Sequence, residues 1–145
     1  MRLRLLPVLV LALLAEPVAA ETPASIAGRW IAEDGTAVVT LAPCGVNAKA
    51  YCGRVSHFLV AEPKGGFRDA RNPDPKLRNR PVLGASVFTG LVASGKVWKG
   101  RGYSVKDGRH FSATLTAKGT KLTVRGCVTI ICRTVVWTRA SAAAP

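Results

Sequence analysis

A chain of 145 residues, 48% hydrophobic and 20% charged, with 14 Gly and 9 Pro, fits one turn-rich compact domain. That composition excludes a disordered polymer, a coiled coil, a collagen-like repeat and a multi-pass membrane protein. Lys and Arg number 21 against 8 Asp and Glu, a formal charge of +13, which fits either attraction of phosphate-bearing or other anionic partners or solubility alone.

Residues 1–20 place Arg2 and Arg4 before the apolar run Leu5-Leu6-Pro7-Val8-Leu9-Val10-Leu11-Ala12-Leu13-Leu14 and end in Val18-Ala19-Ala20. This is the three-part pattern of a secretory signal peptide, with cleavage expected after Ala20 and a periplasmic or secreted product. The run is shorter than the roughly 20 residues of a spanning helix, and no later stretch approaches that length, so no transmembrane span is expected after cleavage. No Cys stands near the cleavage point, which argues against a lipid anchor. Arg2, Arg4 and Glu16 leave with the leader, so the basic excess belongs to the rest of the chain.

A short lead, 21–27, precedes the domain expected at 28–139, and 140–145 reads as a flexible tail. Short β-branched runs with apolar residues at period two predict about eight strands. They fall at 29–33, 37–42, 51–59, 82–91, 96–103, 110–117, 121–127 and 131–139. Asp34-Gly35, Ser94-Gly95, Asp107-Gly108 and Lys118-Gly119 supply turn dipeptides between them. Successive hairpins make an all-β, antiparallel up-and-down meander, and closing it into a barrel removes its exposed edges. The interior of such a barrel is just wide enough for side chains or one small ligand.

Residues 61–81 are the exception to short connections. They contain Pro63, Pro73, Pro75 and Pro81, the cations Lys64, Arg68, Arg71, Lys76, Arg78 and Arg80, and the acids Glu62, Asp69 and Asp74. One reading is a binding loop; the other is a Pro-stiffened lid whose Asp69 and Asp74 bond to local backbone and Arg.

Cys44, Cys52, Cys127 and Cys132 are an even set in a chain expected to be exported, which reads as two disulfides. Of the three pairings, Cys44–Cys52 with Cys127–Cys132 is preferred, because each pair flanks a short segment between strand-like runs. A zinc site of four thiolates is the rival, but only the second spacing is usual for ligands.

Gly28-Arg29-Trp30, Asp34-Gly35, Pro43-Cys44, Tyr51-Cys52-Gly53-Arg54-Val55, Asp69-Ala70-Arg71-Asn72-Pro73-Asp74, Arg80-Pro81-Val82-Leu83-Gly84, Asp107-Gly108 and the ending from Gly126-Cys127 to Trp137-Thr138-Arg139 follow one another along the chain. In this combination the sequence resembles the bacterial domain-of-unknown-function 2147 family. The resemblance implies a secreted, lipocalin-like barrel of the calycin type and brings no catalytic residues. In that wider superfamily a Gly-x-Trp opens the first strand and an Arg of the last strand covers the Trp, which implies Arg139 against Trp30. The chain is short for a lipocalin, so the resemblance does not extend to a roomy ligand cup.

Gly28, Trp30, Asp69, Asp74, Trp137 and Arg139 are therefore expected to be structural, with the aromatic and cationic groups plugging a barrel end. His57 and His110 stand apart from any Cys or carboxylate motif, and Asp69, Asn72 and Asp74 lack the order of a calcium loop, so no metal and no cofactor are expected. Gly84-Ala85-Ser86-Val87-Phe88 lacks the last Gly of a nucleophile elbow, and Glu33, Asp34, Asp69, Asp74 and Asp107 all sit at or near turns and loops, so catalysis is disfavoured. No phosphate-cradling glycine motif is present.

The leading expectation is a monomeric, non-catalytic envelope protein that takes a small apolar or amphipathic ligand at one barrel end. Arg71, Asn72, Arg78, Arg80, Trp98 and Tyr103 are its candidate contacts. The alternative is a filled barrel acting as an interaction module. Its basic surface, with Lys99, Arg101 and Arg109 added to the loop cations Arg71, Lys76, Arg78 and Arg80, would hold an anionic envelope component or a protein partner. Nucleic acid is not expected, given export.

Overall fold

The computed structural model describes residues 19–142. The leader expected at 1–20 lies outside the described residues up to position 18, as do positions 143–145 of the expected tail.

Eight strands alternate along the chain: β1 (Gly28–Ile31), β2 (Ala37–Cys44), β3 (Asn47–Phe58), β4 (Ser86–Ser94), β5 (Val97–Ser104), β6 (Arg109–Lys118), β7 (Lys121–Val128) and β8 (Ile131–Arg139). Each pairs antiparallel with its sequence neighbour, and β8 returns to β1 with Trp30 opposite Arg139 and Ile31 opposite Thr138, so the sheet is a closed up-and-down barrel. Period-two patterning drives this: in β7, Leu122 and Val124 are buried while Lys121 and Arg125 face solvent. The strand expected from residue 82 starts only at Ser86. Val82 instead donates its N–H to the Phe67 carbonyl and accepts from Ala85 N–H, making a turn where apolar content alone reads as strand. The long connection holds one helical turn, Pro75–Leu77, capped by the Asp74 side chain accepting from Lys76 N–H.

Both preferred disulfides are formed: Cys44–Cys52 staples the β2–β3 hairpin and Cys127–Cys132 the β7–β8 hairpin. Odd strands begin, and even strands end, at one pole of the barrel. The largest side chains gather there: Ile26, Trp30, Leu41, Leu91, Leu115 and Leu122 are all at most 1% exposed. The lead at 21–27 is thus no free arm, because Ile26 is part of the core.

At the other pole five valines, Val39, Val55, Val87, Val124 and Val135, line a hollow together with aromatic rings. One of these rings, Phe111, lies against the wall. A Cβ at Gly126 would meet it at 2.8 Å, and one at Gly102, its register partner, closer still. Two glycines thus make a slot that keeps the ring off the barrel axis. Plugged at one pole and hollow at the other, the barrel departs from the filled interior of the alternative reading.

Candidate functional site

The plugged pole is built around Trp30. Its indole N–H donates to the Ile26 carbonyl at 2.9 Å, and the Arg139 guanidinium carbon lies 4.1 Å from the ring centroid. Arg139 also donates to the Ala27 carbonyl at 3.1 Å. Gly28, at φ 122°, lets the chain pass beneath this guanidinium, since a Cβ would sit 2.7 Å from its Nη1. Trp98 belongs to the same pole: it donates to the Ala24 carbonyl at 2.8 Å and meets Tyr51 edge-on. Its expected place beside the long loop is therefore corrected. Trp98 begins β5 and Tyr103 lies near its end, so the two residues lie toward opposite poles.

The long loop is held by one buried carboxylate. Asp69, fully buried, accepts from Tyr103 Oη at 2.6 Å and Asn72 Nδ2 at 2.7 Å, and from Arg80 Nε at 2.8 Å and Nη2 at 2.7 Å. Burial pushes its carboxyl upward, but the hydrogen bonds from Tyr103, Asn72 and Arg80 and the guanidinium charge outweigh it, leaving Asp69 below the usual carboxylate range. The phenol of Tyr103 is pushed up to about 12 by burial, by its hydrogen bond to Asp69 and by that residue's charge. Arg78 donates from Nε to the Asn72 carbonyl, and Arg80 stands over the Tyr103 ring at 5.6 Å. Among the described residues no buried side-chain N or O lacks a partner. Of the residues expected as ligand contacts, Asn72 and Arg78 bond within the loop, and Arg80 and the Tyr103 hydroxyl tie it to β5 through Asp69. Asp69 holds the loop through these bonds, and Asp74 caps the helical turn at Lys76 N–H.

The loop, the β1–β2 and β5–β6 turns and the β7–β8 hairpin surround the mouth of a cavity of about 1460 Å³. Its inner surface is apolar: the five valines, Phe58, Phe67, Phe88, Phe111 and Trp137. Phe88 sits between Trp137, tilted at 5.6 Å, and Phe111, edge-on at 6.2 Å. Trp137, the register partner of Leu122 at the plugged pole, packs against the core and also lines the cup. That volume takes in the open mouth between the loops, and within the barrel small side chains and the Gly slot make room for it.

The mouth is cationic. Arg68, Arg71, Lys106, Arg109 and Arg133 lie on it with Glu33, Asp34 and Asp107. Each acid is engaged locally: Glu33 pairs with Arg133 at 2.9 Å, Asp34 accepts from Thr36, and Asp107 accepts from the Ser104 hydroxyl. Burial raises the Asp34 carboxyl, but the Thr36 bonds outweigh it and its pKa lies below the ordinary value. Arg71 and Arg68 donate to the backbone carbonyls of Lys106 and Asn79, which orients them without cancelling their charge. Of the expected contacts, Arg71 and the Tyr103 ring border the cavity. Sequence reasoning missed the part of Lys106 and Arg133 at this end. Their positions just after β5 and near the start of β8 were the available signal once the strand order was fixed.

A closed eight-stranded meander with one plugged and one hollow pole defines a small antiparallel β-barrel with an internal cup. The chain belongs to the DUF2147 family, described as uncharacterized proteins conserved in bacteria, which it matches over residues 28–139. No curated protein and no solved structure matches it. Among the described residues no helix is long and apolar enough to cross a membrane.

Proposed function

We propose that this protein is a non-catalytic carrier, exported and cleaved after Ala20, that binds a small apolar or amphipathic molecule in the open half of the barrel. The carrying observation is the cup of about 1460 Å³, walled by valine and aromatic side chains and rimmed by Arg and Lys. Burying an apolar ligand body there removes its surface and that of the wall from water, the dominant favourable term in such sites. The rim cations suit a ligand with an anionic head left at the mouth. Binding rather than catalysis is supported by the acids of the mouth, each already engaged by a neighbour. The two disulfides suit a protein that works in an oxidising compartment.

Native mass spectrometry of gently purified protein, followed by titration with long-chain fatty acids while Trp fluorescence is read, tests this. Trp137 lines the cup, so binding is expected to change emission, and Val135→Trp, which projects a large ring into the cup, is expected to weaken uptake in the mass spectrum. A protein that carries nothing and takes up none of a panel of fatty acids, lysophospholipids and hydrocarbons overturns the reading.

The charge of +13 favours a second reading, an interaction module for an anionic envelope component or protein partner. Salt separates the two when the probe is an uncharged hydrocarbon: surface attraction falls steeply with ionic strength, whereas uptake of a neutral molecule into the cup is nearly indifferent.

A further inference from the structure

The tip of the β7–β8 hairpin is built against the usual rules for such turns. Two-residue hairpin loops favour Gly or Asn, and here the residues are Thr129 and Ile130. Thr129 has φ 53°, the sole non-glycine residue with positive φ among those described, and it is β-branched, where that conformation is most strained. The flanking side chains are apolar and face water: Val128 is 41% exposed, Ile130 91% and Ile131 72%. The Cys127–Cys132 bridge closes the hairpin directly beneath them. A solvent-facing turn gains nothing from this composition, so the cost in strain and exposed apolar surface points to something that covers it.

The same pole carries the cations. Val128, Thr129 and Ile131 border the mouth alongside Arg68, Arg71, Lys106, Arg109 and Arg133, which outnumber Glu33, Asp34 and Asp107 there even with Arg133 paired to Glu33. Val60, 42% exposed, also borders this mouth. Apolar side chains standing out from a cationic ring match the layering of an anionic bilayer surface, with acyl chains below and phosphates at the level of Arg and Lys. A second copy of the chain fits less well: the tip is convex and a few residues wide, a stable dimer needs roughly 800 Å² per partner, and two molecules of +13 repel.

We infer that the open pole of the barrel docks on an anionic lipid surface, with Val128, Ile130 and Ile131 inserted among the lipids and the mouth cations on the headgroups. The disulfide keeps the tip rigid, so ordering it costs little on insertion. Docked this way, the cup faces the bilayer. The inference stands on the outer surface of the pole and does not depend on what the cup holds.

Co-sedimentation of the full oxidised protein with two vesicle types, phosphatidylcholine alone and an equal mixture with phosphatidylglycerol, tests it. Binding is expected to the mixed vesicles, weakening as salt rises, and the double variant Ile130→Ser/Ile131→Ser is expected to bind about tenfold or more weakly with an unchanged thermal midpoint. Val46→Ser, an equally exposed valine on the plugged pole, is expected to bind as the parent does. Ile130→Trp is expected to blue-shift its emission on mixed vesicles and to be quenched by brominated acyl chains. Val135→Trp, with a large ring projecting into its cup, is expected to dock normally, which separates failure of docking from failure of the carrier reading. Three results overturn the inference: no binding to mixed vesicles, equal binding by parent and double variant, or self-association of the parent that the double variant abolishes.

Discussion

Arg139, in the last strand, lies 4.1 Å from the ring centroid of Trp30, in the first, and the two residues are also register partners across the seam that closes the barrel. The contact therefore joins the chain's two ends as well as stacking a cation on a ring. Only two residue pairs make the β1–β8 register, so side chains contribute more at this seam than along the longer ladders. Arg139→Ala removes the stack and leaves the Ala27 carbonyl without its side-chain donor. A loss of about 1–3 kcal/mol is expected in urea unfolding. Arg139→Lys restores the charge without the planar stack and is expected to recover only part of it.

Asp69 and Tyr103 make a buried pair whose two titrations act at opposite ends of the pH scale. Asp69 is held below its ordinary value of 3.8 in the folded protein, so the unfolded chain takes up its proton first on acidification. Its contribution is present above the unfolded pKa and is lost as pH falls through the folded value. Tyr103 is raised from 10.0 to about 12, so its contribution is present below pH 10.0 and is lost as pH rises toward 12. Urea midpoints followed against pH are expected to fall at both extremes. In Asp69→Asn the fall below pH 4 is expected to be smaller, and in Tyr103→Phe the fall above pH 10. At neutral pH, Asp69→Ala is expected to cost about 2–4 kcal/mol, because Arg80 and the Tyr103 hydroxyl lose their shared acceptor. An unchanged midpoint would show that the loop is held by other contacts.

Strand number, hairpin order and disulfide pairing were legible because each rests on local pattern. Leu122 and Val124 alternate with polar neighbours, and Cys127 and Cys132 flank a two-residue turn. The start of β4 was misread because Val82 is buried by the loop, not by a neighbouring strand. Trp98 was misplaced for a geometric reason that the sequence did contain. Five residues of strand at about 3.3 Å each put it roughly 17 Å from Tyr103, so the two cannot serve one mouth. The cup itself was not legible, since it depends on Phe111 standing opposite Gly102, and register is a property of two strands together.

Thr129 offers a separate check on the hairpin tip. Holding a β-branched residue at φ 53° costs about 1–3 kcal/mol, and its side chain gains only a hydrogen bond to its neighbour Val128. Thr129→Gly is expected to raise the thermal midpoint by a few degrees, the relief of strain exceeding the added chain entropy of about 1 kcal/mol. A lowered midpoint would show that Thr129 is comfortable in this turn.

Gly102 connects packing to the proposed binding. A methyl group there would occupy space held by the Phe111 ring, so Gly102→Ala forces that ring off the wall. The outward side of the slot is backbone, and Gly126 closes it from β7, which leaves the hollow of the barrel as the direction in which Phe111 can move. The substitution is therefore expected to cost about 1–3 kcal/mol in stability and to shrink the cup. Binding of a fatty acid probe is expected to weaken in Gly102→Ala and to recover when Phe111→Leu is added, because the shorter side chain fits beside the new methyl. A stability loss with unaltered uptake would mean that the ring shifts along the wall instead, and that the slot serves folding alone.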